Sequence, residues 1–221
     1  MAVTKRKSSA KTSGKRHFSK KEAISFGFEL AKKNIIFFIG FFIIVVIVSA
    51  LSSAIQFGAT LEKQPLLYIV SYVVTFIINT VIGMGIIKIS LEFVDKEKPK
   101  FRDLFHTKNL VNFILASLIR GVVTFIGFIL LIIPGIIFSI RLQFVTYLIV
   151  DKKLPPVEAI KKSWEMTKGS AWNLFFFGIL LFLVNVLGAM LLLVGLFVTV
   201  PLSMLATTFV YRKLLLHSKA A

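Results

Sequence analysis

Cysteine is absent from this sequence, which excludes disulfides, thiolate nucleophiles and cysteine metal sites. Acidic residues are scarce, ten against 27 lysines and arginines, and all lie outside the long apolar runs or at their ends. The three histidines, His17, His106 and His217, are widely spaced and form no recognisable metal-ligand set. No P-loop, dinucleotide-binding fingerprint or GxSxG elbow appears. These absences remove the usual grounds for assigning catalysis. The expectation is a non-enzyme with no catalytic residue, cofactor or metal.

Apolar residues are what the chain has in excess. They make up 57% of its 221 residues, against about 45–50% in a soluble domain, and several runs exceed the ~18 uncharged residues that mark a membrane helix. The chain is therefore read as all-α and polytopic, with six transmembrane helices. The spans are expected near 35–55, 65–87, 110–133, 136–150, 172–198 and 202–216. Residues 18–216 then form one membrane domain, which leaves no length in this chain for a second soluble domain.

Before the first span, residues 1–17 are rich in Lys, Arg, Ser, Thr and Gly and should be a disordered basic tail. Phe18 to Lys33 reads as an amphipathic helix capped by Ser19, with Ile24, Phe28 and Ala31 on one face, lying along the cytoplasmic interface. The first span is expected to stay uncleaved, because its apolar run is longer than a signal-peptide core. Residues 56–64 read as a short loop. The charged segment from Glu92 to Lys108 contains Phe101, Leu104 and Phe105, a second small amphipathic piece. Pro155-Pro156 opens a third, with Val157, Ile160 and Trp164 along one edge. Trp164 and Trp172 suit the membrane interface. Residues 217–221 form a short tail.

The net charge of +17 is read by location. Ten basic residues precede the first span, six lie between Lys88 and Lys108, five between Asp151 and Ala171 and three in the tail, whereas the opposite loops hold only Lys63. The positive-inside rule puts both termini and both large loops in the cytoplasm of a prokaryotic plasma membrane. Anionic headgroups at that face are the expected partner, ahead of nucleic acid.

The chain also suggests a threefold repeat, each unit an amphipathic segment followed by a helical hairpin. Glu22-Ala23-Ile24 recurs as Glu158-Ala159-Ile160, and Lys33-Asn34-Ile35-Ile36 resembles Lys108-Asn109-Leu110-Val111. Pro134-Gly135 and Pro201 are expected to form outer turns of the second and third hairpins.

Pro134-Gly135-Ile136, Arg141-Leu142, Ile149-Val150-Asp151, Ala159-Ile160, Ser163, Thr167, Gly169 and Trp172 together resemble a motif of a prokaryotic family of six-helix membrane proteins. That family includes the membrane domain of some glycerophosphoryl diester phosphodiesterases and many uncharacterised members. The segment Phe101-Arg102-Asp103-Leu104-Phe105 is similar to its loop between the second and third spans. The resemblance implies a six-helix fold and no established activity, since the phosphodiesterase chemistry belongs to a separate soluble domain. Arg141 stands within the motif; Arg120 does not.

Polar residues inside the apolar spans are where a site is sought. Asn79, Arg120, Arg141, Gln143 and Asn185 each fall near the middle of a span, and no acid there can neutralise the arginines. Arg120 and Arg141 could form a cationic site for a lipid phosphate or another small anion, with the amides as hydrogen-bond partners. The alternative is structural: the arginines satisfy free carbonyls near the Pro134 break or snorkel to the interface. Glycines 83, 85, 121, 127, 188 and 195 are expected to be helix-packing positions. The leading expectation is a membrane protein that binds or senses a phospholipid or other anionic amphiphile. A transporter or channel for a small molecule, and a structural or accessory membrane partner of a soluble enzyme, are the alternatives.

Overall fold

Helices account for the regular structure throughout the computed structural model, which describes residues 18–61, 65–191 and 194–219. The expected basic tail (1–17) lies outside the described residues, as does Lys63. In chain order the helices are α1 (Lys20–Lys33), α2 (Ile35–Leu61), α3 (Pro65–Val94), α4 (Leu110–Leu130), α5 (Ile132–Arg141), α6 (Val145–Lys152), α7 (Pro156–Thr167), α8 (Ala171–Met190) and α9 (Leu196–Lys219). A single 3-10 turn covers Phe101–Phe105, and no strand occurs among the described residues.

Among the described residues, five segments are long and apolar enough to cross a membrane: Ile35–Gly58, Pro65–Val94, Leu110–Leu130, Ile132–Lys152 and Ala171–Met190. They present apolar side chains outward, among them Ile43, Val46, Ile47 and Leu51 on α2 and Phe182, Leu183 and Leu187 on α8. An apolar exterior this extensive belongs in lipid, since soluble monomers rarely expose contiguous patches beyond a few hundred Å². The sixth expected span, 202–216, falls in α9, which is not among the five. Leu202, Leu205, Ala206, Val210, Tyr211 and Leu214 of α9 are buried, and α1, α2, α3, α7 and α8 all pack on it. A helix surrounded by protein can carry Ser203, Thr207, Thr208 and Arg212 where a lipid-facing helix could not.

Several expected boundaries move. Helix α2 runs through residues 56–61, the first part of the expected loop. The second hairpin breaks at Leu131, which is extended (φ −168°, ψ 153°), and not at Pro134. Pro134 and Gly135 lie in the first turn of α5. A proline is tolerated there because first-turn amides have no intrahelical acceptor to lose. Gly135 is needed for packing instead: a Cβ on it would meet the Phe128 ring at 2.5 Å, and one on Gly127 would stand 3.0 Å from the Gly135 Cα. Pro201 lies inside α9, and the third hairpin turns between Met190 and Leu196.

The amphipathic segments fold back onto the bundle. Ser19 caps α1, its hydroxyl accepting from the Glu22 amide at 3.2 Å. The buried stripe of α1 is Ala23, Gly27 and Ala31, not the expected Ile24, Phe28 and Ala31; Phe28 is exposed. Three small residues at i, i+4 and i+8 let α1 lie closely along α9, and a Cβ on Gly27 would come within 2.6 Å of the Leu202 carbonyl oxygen. Asn173 Nδ2 donates to the Phe18 carbonyl at 3.0 Å, and Lys213 pairs with Glu22 at 3.2 Å. In the 3-10 turn Leu104 is buried while Phe101 stacks on Phe37 at 4.6 Å. The Leu104 backbone occupies the space a side chain on Gly85 would need. Of the six expected packing glycines, 85, 127, 188 and 195 make such close approaches; 83 and 121 face open space.

Two residue pairs matched by the expected repeat occupy similar local positions. Ala23 and Ala159 are both fully buried near the starts of α1 and α7. Asn34 and Asn109 each directly precede the first helix of a hairpin, α2 and α4.

A candidate anion site beneath Arg141

The site begins with a defect in a helix. After Arg141 the chain leaves the α-helix for three residues, Leu142 to Phe144, and resumes as α6. The Val145 amide, which would donate to the Arg141 carbonyl in an unbroken helix, turns instead to Leu142 O at 3.3 Å. An orphaned carbonyl in an apolar setting is costly. Helix α7 resolves this: Ser163 Oγ donates to Arg141 O at 2.7 Å, with Thr167 Oγ1 at 3.5 Å. Both hydroxyl residues are fully buried. Gln143 Nε2 serves the neighbouring carbonyl, donating to Ile140 O at 3.0 Å.

With its backbone held, the Arg141 side chain lies over the Trp164 indole, the guanidinium carbon 4.6 Å from the ring centroid. Trp164 is itself placed by Phe138, 5.9 Å away. Arg141 makes no ion pair among the described residues, and its buried Nε has no hydrogen-bond partner. The same residue lines a cavity of about 470 Å³ between α5 and α8. Ile133, Ile136, Ile137 and Ile140 of α5 line it with Gly169 and with Ala171, Trp172 and Phe175 of α8. Gly169 adopts φ +82°, a left-handed conformation that glycine takes without strain, and a Cβ there would meet nothing. The arrangement is an apolar cleft lined by one cation that has no ion pair among the described residues.

The other expected site residues do not join it. Arg120 lines a separate cavity of about 480 Å³ with Thr124, Phe125, Phe128 and Ser139. Asn79 is exposed on α3. Asn185 ties α8 to α9, donating to Leu181 O at 2.8 Å and to Ser203 Oγ at 2.7 Å. Gln143 closes the helix break. Of the five, Arg120 and Arg141 each line a cavity, and the two cavities are separate.

One cluster was invisible to sequence reasoning. Arg212 of α9 bridges two acids, Asp95 just beyond α3 and Asp151 in α6. Its Nη1 is 2.5 Å from Asp151 Oδ2, and its Nε is 2.9 Å from Asp95 Oδ1. The fully buried Tyr211 adds its hydroxyl to Asp151 Oδ2 at 2.7 Å. The network joins the ends of α3, α6 and α9. Asp151 belongs to the motif quoted above, which was its one available signal; Arg212 registered only as a topology charge.

Comparison with known proteins follows this geometry. The chain is similar to the uncharacterized protein Rv2560 of Mycobacterium tuberculosis, 28% identical over 130 residues, which are 59% of this chain and 40% of the relative. It is equally similar to the uncharacterized protein Mb2590 of Mycobacterium bovis, 28% identical over the same shares. The chain thus spans about two fifths of the length of these curated relatives. No solved structure matches it. A family model described as a domain of unknown function (DUF7847) matches residues 105–218, a stretch that contains the Arg141 cleft and both Asp151 and Arg212. With more than half its length under that match, the chain belongs to the DUF7847 family.

Proposed function

We propose that this protein is a non-enzymatic integral membrane protein that binds a phospholipid or another anionic amphiphile in the cleft beneath Arg141. The observation that carries the reading is the guanidinium of Arg141, which lines an apolar cavity and has no carboxylate paired to it among the described residues. A charge in such surroundings is costly unless a counter-charge arrives from outside the chain. An amphiphile supplies both needs, an anionic group for Arg141 and apolar surface for the isoleucine wall. Its volume falls within the ~300–1,000 Å³ typical of ligand pockets.

The proposed layout is six membrane helices in three hairpins, α2–α3, α4 with α5–α6, and α8–α9, all opening to one face. A parity argument supports it. Asp95, Asp151 and Arg212 are in contact, as are Glu22 and Lys213. Charged residues in contact share one side of a membrane, so the chain crosses an even number of times between them. If α8 crosses, α9 returns. The basic loops make that face the cytoplasmic side of a prokaryotic plasma membrane. The likeness to the phosphodiesterase membrane domain is part of the proposal, supported by the way Arg141, Gly169 and Trp172 line one cleft while Ser163 and Thr167 hold the Arg141 carbonyl.

Native mass spectrometry of detergent-solubilised protein tests the reading. Phosphatidylglycerol should be retained in preference to phosphatidylcholine, and Arg141→Leu should abolish the preference. Equal retention of the two lipids by the unaltered protein would refute it.

A further inference from the structure

We propose that Arg120, Thr124 and Ser139 form a second anion site, separate from the Arg141 cleft, that takes a terminal phosphate group. The shared chemistry is a phosphate with three free oxygens, whether inorganic phosphate or the phosphomonoester head of a lipid such as phosphatidic acid.

Placement is the first argument. The three residues line one cavity between α4 and α5. Thr124 follows Arg120 by one helical turn, so the two share a face of α4, and Ser139 comes from α5. Ser139 and Ile140 are neighbours in sequence yet line different cavities, which makes α5 the partition between this site and the Arg141 cleft. The two helices run antiparallel from the break at Leu131 and approach closely where Gly127 meets Gly135. Arg120 lies seven residues before Gly127, and Arg141 six after Gly135. At ~1.5 Å per residue both cations stand about 10 Å along the hairpin from that contact. Two cations at one level thus serve two cavities.

Unused hydrogen-bonding capacity is the second argument. Arg120 has neither an ion pair nor a hydrogen bond among the described residues. It sits in the middle of an apolar helix long enough to span a membrane, where an uncompensated charge is costly. Hydroxyls in such helices commonly donate to a carbonyl three or four residues back. Ser71, Thr80, Ser90, Thr207 and Thr208 of this chain do so. Thr124 and Ser139 make no hydrogen bond among the described residues, and both are half-buried, so their protons are available to a ligand in the cavity. One guanidinium edge engages two oxygens in parallel. Two further hydroxyl donors call for a third oxygen, which a terminal phosphate has and a carboxylate or a phosphodiester lacks. Gly121, Phe125 and Phe128 are exposed, which leaves the cavity open on the outer side of the hairpin.

Arg141→Leu protein isolates the Arg120 cavity for the test. Purified in a neutral detergent and shown to be monodisperse, it is titrated with phosphatidic acid and with phosphatidylglycerol, read by native mass spectrometry. Labelled inorganic phosphate is titrated separately, read by equilibrium dialysis. The expected result is one saturable equivalent of phosphatidic acid or of inorganic phosphate, at least about tenfold tighter than phosphatidylglycerol. Adding Arg120→Leu should abolish it, and adding Thr124→Val/Ser139→Ala should weaken it by at least about tenfold. Binding of the lipid alone identifies a headgroup site, and binding of inorganic phosphate identifies a site for a soluble anion. The proposal is overturned if neither phosphate binds in an Arg120-dependent way, if phosphatidylglycerol binds as tightly, or if loss of both hydroxyls changes nothing. The reading of the Arg141 cleft is judged apart from it on Arg120→Leu protein, which keeps Arg141 and should still prefer phosphatidylglycerol over phosphatidylcholine.

Discussion

Ser163 Oγ donates a 2.7 Å hydrogen bond to the carbonyl oxygen of Arg141, across a break between two helices. That bond explains how a helix can stop inside an apolar segment without leaving a stranded acceptor. It also fixes the backbone from which the cation reaches the cleft. Removing the hydroxyl with Ser163→Ala should cost about 1–3 kcal/mol, the penalty for an unsatisfied buried group. Thr167 stands close enough to take over part of the role, so the double change Ser163→Ala/Thr167→Val should cost more. Thermal unfolding in detergent measures both.

Arg212 should be less replaceable than its position near the chain end suggests. Arg212→Leu leaves the Asp151 carboxylate, whose side chain is 11% exposed, with only the Tyr211 hydroxyl and Lys152 as partners, and should destabilise by about 1.5–3 kcal/mol. Asp95 is 37% exposed, so Asp95→Asn should cost less than about 1 kcal/mol. Equal effects of the two changes would contradict the proposed division of labour in the network.

Two neighbouring glycines should behave oppositely. Gly85→Ala pushes a methyl group into the Leu104 backbone and should destabilise by at least about 1–3 kcal/mol. Gly83 faces open space, and Gly83→Ala should be neutral within about 0.5 kcal/mol. Unfolding midpoints of the pair, in the same detergent, decide this.

Because the chain has no cysteine, single-cysteine labelling can test the layout directly. In intact cells a membrane-impermeant maleimide should react with Leu191→Cys and leave Lys98→Cys and Lys161→Cys unmodified until the membrane is opened. Labelling of Lys98→Cys and Lys161→Cys on opposite sides would overturn the even-crossing arrangement.

The contrast between what the residues announced and what they concealed has physical causes. Long uncharged runs identify α2, α3, α4 and α8 because lipid-facing helices must be apolar on every exposed side. Ser19 was readable as a cap because its chemistry is local. Pro134 and Pro201 misled, since proline next to apolar runs looks like a stop, yet the first turn of a helix tolerates it and α9 accommodates it. Helix α9 hid its place at the centre of the bundle behind polar residues that only protein neighbours make tolerable. The bond from Ser163 to Arg141 spans 22 positions and that from Arg212 to Asp95 spans 117, and no periodicity reaches across such distances. Among the candidate polar residues, Arg141 and Asn185 looked alike in sequence; only packing shows that Asn185 has a side-chain partner in Ser203 and that Arg141 has no ion-pair partner among the described residues.

The central claim is that Arg141 holds an anionic group, and a charge comparison tests it most directly. Dissociation constants are measured for a long-chain carboxylate and for the alcohol of the same chain, with the unaltered protein and with Arg141→Leu. The unaltered protein should favour the anion by at least about tenfold, or roughly 1.4 kcal/mol, and Arg141→Leu should bind the two alike. An anion preference that survives undiminished in Arg141→Leu would contradict the account.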